Sequence, residues 1–257
     1  MGYEQNRLNM RCIDLNCDLG EGAGHDAELM ALVTSASIAC GIHAGDGGTM
    51  HLAVELALKH HVAIGAHPSL NDRGHFGRRE LPVTPDEVHL LVLTQTRLLQ
   101  IIARQCGARV AHVKPHGALY SMAARDKELA AAVAGAVHEA DPKLILFGLA
   151  GSELIKAGQT CGLRVAQEVF ADRTYQADGS LTPRSQPGAM MEDANRMVAH
   201  VRSMVHDGVV TAMDGTRVPI TADTVCLHGD GKSAVFFATR LKAELKKAMI
   251  EFKALGA

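Results

Sequence analysis

The sequence predicts an α/β protein whose strands close into a distorted TIM-like (β/α)7 barrel. Strand-like and helix-like segments alternate along the 257 residues, as is typical of a parallel sheet with helices packed outside it. Six of the strand-like runs end in ionisable residues, the pattern of a barrel with a site at its C-terminal rim. We treat residues 1–257 as a single domain with a β-hairpin excursion at 209–220.

Seven apolar runs predict the barrel strands. They lie near residues 12–18, 36–42, 62–66, 109–114, 143–149, 164–170 and 223–228. The segments between and after them predict helices near 26–33, 48–60, 85–105, 126–139, 152–160, 190–206 and 232–254. The run Thr84-Pro85-Asp86-Glu87 is a capping box with proline at the first helical position, so one helix should begin there. Alternation around Asp214-Gly215 predicts the hairpin.

Composition excludes several classes of function. The chain is 47% hydrophobic and 21% charged with a net charge of −2, so nothing attracts it to nucleic acid or to an anionic membrane. No apolar run approaches the roughly 20 residues that span a bilayer, and no signal peptide is recognisable, so we expect a cytoplasmic protein. The six cysteines form no C-x-x-C pair, and we expect buried free thiols at Cys17, Cys40 and Cys226.

The first strand carries the strongest functional signal. Alternate side chains of a strand share a face, so Asp14, Asn16 and Asp18 lie together opposite Ile13, Leu15 and Cys17. A polar inner face is costly to bury unless it binds something or takes part in chemistry. We therefore expect this strand to form one wall of a polar cavity.

Two later strands each end in a histidine. Ala39, Gly41 and His43 share one face, and Ala63, Gly65 and His67 share another. The small residues leave space below each histidine. One such histidine is commonly a hydrogen-bonded core residue, but two at matching positions favour a common site.

The fourth strand places His112, Lys114 and His116 on one face. A lysine inside a barrel must pair with an acid or lose its proton. Asp14 and Asp18 are the two available acids of the first strand. We expect Asp18 to lie nearest the substrate, and we favour Asp14, about 13 Å deeper at a rise of about 3.3 Å per residue, as the partner of Lys114.

Further polar residues follow the last strands and fill two long connections. Both connections, 68–83 and 171–189, follow predicted strands and should lie at the C-terminal rim, where long loops are usually functional. Their arginines suit a carboxylate or a phosphate. The residues concerned are Glu168, Asp172, Arg173, His228 and Asp230 after the strands, and Arg73, Arg78, Arg79 and Arg184 in the connections.

Six motifs together resemble the LamB/YcsF family. They are DLNCDLGEG, SIACGIHAGD, VAIGAHPS, HVKPHGALY, EVFADRTYQADGSLTPRSQPGA and VCLHGD. The resemblance implies a barrel akin to those of glycoside hydrolases and deacetylases. It also implies a cytoplasmic complex in which this chain, with 5-oxoprolinase subunits B and C, converts 5-oxo-L-proline, ATP and water into L-glutamate, ADP and phosphate. No phosphate-binding loop motif is present, which is consistent with ATP binding by the partner subunits. The sequence does not show which subunit binds ATP.

The resemblance and the strand ends together lead to a first hypothesis, a hydrolase acting on an activated lactam. Asp18 or Asp14 would be the general base, helped by His43 or His67. Lys114 and His116 would stabilise developing negative charge, and Arg173 or Arg184 would hold the substrate carboxylate. The remaining predicted substrate-binding residues are Asn16, Glu21, Asp46, Arg78, Glu168, Asp172, His228 and Asp230.

Two alternatives stay open at this point. Asp18, His43 and His67 could hold a divalent metal ion in a deacetylase-like hydrolase that acts alone. The chain could instead be a non-catalytic scaffold for its partner subunits. The costly polar interior argues against the scaffold.

Overall fold

The strands and helices alternate along the chain as expected. The computed structural model describes residues 11–229, 231 and 233–255. Its strands are β1 (Arg11–Leu19), β2 (Ser35–Ala39), β3 (Ala63–His67), β4 (Val110–Val113), β5 (Ile145–Leu149), β6 (Arg164–Phe170), β7 (Val209–Thr211), β8 (Arg217–Pro219), β9 (Thr224–Leu227) and β10 (Ile250–Phe252). Its helices are α1 (Asp26–Met30), α2 (Gly47–His60), α3 (Pro85–Gln105), α4 (Gly117–Arg125), α5 (Lys127–Ala140), α6 (Glu153–Thr160), α7 (Ala194–Arg202) and α8 (Ala234–Lys247).

Seven parallel strands close into a barrel, which confirms the predicted fold class. The order is β1-β2-β3-β4-β5-β6-β9, and β9 pairs back with β1. The eighth strand of this sheet, β10, pairs with the first three residues of β1. Strand β9 pairs with the residues of β1 that follow, from Asp14 to Cys17. The hairpin β7-β8 forms a separate antiparallel pair.

The two faces of the barrel strands lie in different surroundings. On β1, Leu15 and Cys17 are fully buried in the apolar layer between the strands and the helices. Inside the barrel, a small apolar group of Ile145, Phe147 and Ala166 packs against Leu255. On the inner face of β1, Asp14, Asn16 and Asp18 are polar and buried, as the alternation predicts.

Local chemistry sets the boundaries of α3. The Thr84 hydroxyl accepts a hydrogen bond from the Glu87 amide, and the Glu87 carboxylate accepts one from the Thr84 amide. This confirms the predicted capping box. The helix ends at Gln105, and Gly107 follows with a φ of +75°, a conformation that glycine adopts without strain.

Three elements differ from the prediction. Helix α4 lies in a stretch where the sequence predicts no helix. Pro115 lies just before it and Gly117 is its first residue, and Asp126 both ends α4 and caps α5. Strand β2 stops at Ala39, so residues 40–46 form a loop. The last helix ends at Lys247 because the chain turns at Met249, at a φ of +61°, into β10.

Both long connections lie at the C-terminal rim, since one follows β3 and the other follows β6. The first contains a short 3-10 turn at Arg73–His75, and Arg73 donates to the Gly41 and Gly45 carbonyl oxygens at 3.0 and 3.1 Å. In the second, the Tyr175 hydroxyl accepts from the Phe170 amide at 2.9 Å. Both loops are therefore tied to the barrel.

Two further expectations can be compared with the structure. Cys17, Cys40 and Cys226 are buried and all six thiols are free, as predicted. Across residues 11–229, 231 and 233–255, no helix combines the length and apolar character needed to cross a membrane.

Candidate active site

A buried ion pair lies where β1, β4 and β6 approach one another. The Lys114 ammonium, which follows β4, donates to Asp18 Oδ1 at 2.5 Å, Asn16 Oδ1 at 2.9 Å and Glu168 Oε1 at 3.0 Å. The thiol of Cys226 lies 3.4 Å away. We call Asn16, Asp18, Lys114 and Glu168 the lysine cluster. All four side chains are at most 8% exposed, so one ammonium faces two carboxylates inside the protein.

Lys114 and Asp18 keep their charges at neutral pH. Burial opposes the charged forms, but Asp18 and Glu168 keep the pKa of Lys114 well above its usual range. Burial likewise opposes ionisation of Asp18, yet His67 and Lys114 hold the pKa of that carboxyl well below its usual range. An ammonium has three protons, and its three oxygen partners already use them. Lys114 therefore positions Asp18 rather than offering a free donor.

Asp14 does not pair with Lys114, so that prediction is wrong. Its carboxylate accepts hydrogen bonds from the hydroxyls of Thr34, Ser35 and Thr224 at 2.6, 2.7 and 2.5 Å. Burial raises the pKa of Asp14. The reason is depth, because Asp14 is in register with Thr224 at the start of β9, whereas Lys114 lies beyond the last residue of β4. Hydroxyls from neighbouring strands satisfy Asp14 there.

Three histidines and a glutamate meet beside the lysine cluster. Oε1 of Glu21 lies 3.1 Å from His43 Nε2, 3.4 Å from His116 Nδ1 and 3.8 Å from His67 Nε2. The two facing nitrogens of His67 and His116 are 3.0 Å apart. We call these four residues the histidine cluster. His67 joins it to the lysine cluster, because His67 Nε2 is 3.3 Å from Asp18 Oδ2.

Backbone carbonyls fix the ring orientations in this cluster. His67 Nδ1 donates to the Lys114 carbonyl oxygen at 2.7 Å, and His116 Nε2 donates to the Phe76 carbonyl oxygen at 2.8 Å. His43 is parallel to His116 with ring centroids 3.8 Å apart. Burial lowers the pKa of His43 to about 4 and the pKa of His116 well below its usual range. Both rings are therefore neutral near pH 7.

The local sequence explains why these side chains converge. Asp18 is near the end of β1, His67 is the last residue of β3, and His116 precedes the first turn of α4. Parallel strands of a barrel end at one rim, so residues at strand ends become neighbours although they are far apart in the chain. The predicted ring of strand ends is therefore present at this rim.

Other predicted residues lie around the rim. Asp172 accepts from His228 Nδ1 at 2.9 Å. The buried Arg173 guanidinium donates to the Thr182 and Ala189 carbonyl oxygens at 2.6 and 3.4 Å, so it holds its own loop. Burial opposes ionisation of Asp172, but His228 and, more weakly, the exposed Arg184 lower the pKa of that carboxyl.

Asp46 lies apart from both clusters. Asp46 is exposed and caps α2 by accepting from the Thr49 amide at 2.8 Å. Asp230 lies outside the described residues.

A cavity of about 230 Å³ opens beside the histidine cluster. It is lined by Glu21, Gly22, Ala23, Phe76 and Arg78. The Arg78 guanidinium lies 4.8 Å from the centre of the Phe76 ring, an arrangement that fixes both side chains at the mouth. The cavity has one apolar wall, one carboxylate and one cation.

Sequence reasoning missed two aromatic residues of the site. Phe76 sits in the Gly- and Arg-rich connection and contacts His43 and His116 at ring-centroid distances of 5.4 Å. It is the only phenyl, phenol or indole side chain of that connection, which was the available signal. Tyr120 on α4 is buried beside Glu168, and burial together with that carboxylate raises the pKa of its phenol. The sequence predicts no helix there, and the available signal was the motif HVKPHGALY, which ends at Tyr120.

Fold and clusters together define an α/β-barrel protein that builds its site from strand ends at the C-terminal rim. A model of the LamB/YcsF family matches residues 13–257. The chain belongs to this family.

Two curated relatives have similar sequences over nearly their full lengths. The A subunit of 5-oxoprolinase from Geobacillus kaustophilus (strain HTA426) is 54% identical over 249 residues, covering 95% of this chain and 97% of the relative. The protein of the same name from Shouchella clausii (strain KSM-K16) is 53% identical over 250 residues, covering 95% and 99%.

Solved structures agree with the fold. The lactam utilization protein from Thermus thermophilus is 43% identical and covers 96% of this chain and 100% of its own, with a TM-score of 0.89. A protein of Enterococcus faecalis V583 is 15% identical with a TM-score of 0.56, a likeness that concerns the fold alone.

Proposed function

We propose that this chain opens the lactam ring of 5-oxo-L-proline to give L-glutamate, as the A subunit of an ATP-dependent 5-oxoprolinase that also contains subunits B and C. The observation that carries the proposal is the buried lysine cluster, which His67 joins to the histidine cluster at a rim cavity, in a chain whose relatives are named as the A subunit of 5-oxoprolinase. A buried pair of this kind is costly for a scaffold and useful for chemistry.

The chemistry requires an activated amide. Phosphoryl transfer from ATP to the lactam carbonyl oxygen makes the ring carbon electrophilic and releases ADP. A water molecule then adds to that carbon, the carbon–nitrogen bond breaks, and the ring nitrogen takes a proton, which leaves a γ-glutamyl phosphate. A second water molecule hydrolyses the acyl phosphate to glutamate and phosphate. The chain contains no phosphate-binding loop motif, so we assign ATP to the partner subunits.

Asp18 is the residue that we assign to the attacking water. It stays ionised, Lys114 holds Oδ1 at 2.5 Å, and Oδ2 points toward His67. A carboxylate with so low a pKa is a weak base, so its contribution is mainly to orient the water. Lys114 acts through Asp18 and is a positioning residue.

The cavity suits a small ring that carries a carboxylate. Phe76 offers an apolar face to a five-membered ring, and Arg78 can form a bidentate pair with the substrate carboxylate. Arg173, predicted for this role, already donates to the carbonyl oxygens of its own loop. We assign the substrate carboxylate to Arg78 because Arg78 lines the cavity, with the exposed Arg184 as the second assignment.

Reconstitution tests the proposal. The chain is combined with its partner subunits, and ATP-dependent glutamate release from 5-oxoproline is measured for wild type, Asp18→Asn and the exposed hairpin control Asp214→Asn. We expect Asp18→Asn to lower turnover by a factor of about 100 or more and the control to match wild type. Full turnover by Asp18→Asn, or no turnover by the wild-type complex, would contradict it.

The convergence of histidines and carboxylates also favours a second candidate, a deacetylase-like hydrolase that acts without partners and with a divalent metal. Acetylated sugars and peptides assayed with the isolated chain, before and after chelation, separate the two. A cytoplasmic location stays a prediction under either function.

A further inference from the structure

We propose that the histidine cluster binds one divalent transition-metal ion, through His67 Nε2, His116 Nδ1 and the carboxylate of Glu21. The inference concerns binding by the isolated chain and does not depend on which reaction the protein catalyses. It differs from the Asp18, His43 and His67 set that the sequence predicts.

The first argument is the orientation of two histidine rings. A carbonyl oxygen only accepts hydrogen bonds, so the carbonyl of Lys114 fixes the proton of His67 on Nδ1, and the carbonyl of Phe76 fixes that of His116 on Nε2. When His67 carries a single proton, the other nitrogen of each ring presents a lone pair. These two lone pairs face each other across 3.0 Å inside the protein. Such an arrangement is unfavourable unless a cation lies between or beside them.

The second argument is distance. Zinc binds histidine nitrogen at about 2.0–2.1 Å and carboxylate oxygen at about 2.0–2.2 Å, so two ligand atoms of a tetrahedral site lie about 3.3 Å apart. The observed separations are 3.0 Å between the two nitrogens, and 3.4 and 3.8 Å from Glu21 Oε1 to His116 and His67. The three atoms therefore outline one face of a coordination tetrahedron.

His43 supports this site without being a direct ligand. Its ring is parallel to His116 at a centroid distance of 3.8 Å, so one ion cannot lie in the planes of both rings. Its Nε2 is 3.1 Å from Glu21 Oε1 and can donate to that carboxylate, as residues around metal ligands commonly do. The carbonyl partners of His67 and His116 fix those ligands in the same way.

The chemistry of the ligands selects the metal. Two imidazoles with one carboxylate suit zinc and similar first-row ions, whereas magnesium and calcium prefer oxygen ligands. Three protein ligands leave a fourth position open, the usual arrangement in catalytic rather than structural zinc sites. Asp18 Oδ2, 3.3 Å from His67 Nε2, borders this position.

Metal analysis of untagged, dialysed protein tests the inference. After incubation with zinc and dialysis, we expect about one ion per chain in wild type and at least a tenfold loss of affinity in His67→Asn and Glu21→Gln. The control is His89→Asn, which removes a histidine from a surface pair with Glu139 and should bind zinc as wild type does. Wild-type protein without zinc, or variants that bind it equally well, would overturn the inference.

A second measurement covers the case in which a variant fails to fold. Crystals of wild-type protein, measured at the zinc absorption edge, should show an anomalous peak about 2 Å from His67 Nε2 and His116 Nδ1. No peak there, despite zinc in the crystals, would overturn the inference. It would mean that the two facing nitrogens share a proton and do not bind a metal ion. Neither measurement uses substrate or partner subunits, so failure here is distinct from failure of the proposed reaction.

Discussion

The ammonium of Lys114 lies 2.5 Å from Asp18 Oδ1, and both groups are almost completely withdrawn from solvent. Removing one partner of a buried pair leaves the other as an uncompensated charge. Here two carboxylates, Asp18 and Glu168, depend on one ammonium. The pair therefore links the stability of the barrel to the geometry of the site.

Lys114→Met tests this link. Methionine fills much of the same volume without charge, so we expect a loss of roughly 3–5 kcal/mol in the free energy of unfolding, measured by urea denaturation. We also expect ATP-dependent glutamate formation by the reconstituted complex to fall at least as far as with Asp18→Asn. Lys156→Met, which breaks an exposed pair with Glu153, is the control and should change neither quantity appreciably. An unchanged unfolding curve for Lys114→Met would refute the prediction.

Gly65→Ala tests the packing inside the barrel. A Cβ at Gly65 would lie 2.0 Å from His112 Nε2, because the imidazole fills the space beside the glycine and stacks on Phe147. We expect a destabilisation of roughly 3 kcal/mol, measured by urea denaturation. Gly74→Ala is the control, since no atom lies within 4 Å of its added Cβ.

A double variant makes the Gly65 result specific. If the imidazole causes the clash, Gly65→Ala combined with His112→Ala should be less destabilised than the sum of the two single changes. Strictly additive losses would show that the clash is not the cause.

Arg173→Met tests the role of the arginine in its loop. The wild-type side chain donates to carbonyl oxygens at Thr182 and Ala189, and burial lowers its pKa to about 10, which leaves it charged at neutral pH. Without those bonds, segment 171–189 should open more often, and trypsin should cut at the exposed Arg184 about tenfold faster. Cleavage followed by mass spectrometry measures this, with Arg217→Met in the hairpin as control. Equal cleavage rates would assign Arg173 no structural role.

His200 should contribute to acid sensitivity. Burial lowers its pKa to about 4, whereas an unfolded chain has a histidine pKa near 6.5. The unfolded state therefore binds more protons between these values, and the contribution of His200 is present above pH 6.5 and lost as the pH falls toward 4. We expect His200→Gln to lose up to about 2 kcal/mol less stability than wild type between pH 7.5 and pH 5.

Urea denaturation at the two pH values measures the effect of His200→Gln. Parallel losses in wild type and variant would assign the acid sensitivity to other buried histidines, such as His43 and His112.

Periodicity along single strands was the most reliable guide to this protein. It placed Asp14, Asn16 and Asp18 on one buried inner face, because side-chain direction alternates along any strand. It did not identify the partner of Lys114, because pairing depends on the depth of residues on different strands. That depth follows from barrel register, which a single sequence does not encode locally.

The loops of the site were harder to predict for another reason. Phe76 adopts a φ of +57°, unusual for a residue other than glycine, so neither propensity nor periodicity indicated its position. Arg173 looked like a ligand-binding residue because its charge was visible in the sequence and its carbonyl partners were not. Tertiary contacts decided both positions.

The pairing of β10 with β1 has a consequence for how this protein is made. Arg11–Leu19 leaves the ribosome long before its partners β9 and β10. Until then one edge of β1 has no neighbour, and an open strand edge invites pairing with other chains. Chains truncated before residue 224 should therefore aggregate rather than fold, because the barrel cannot close until β9 has been made.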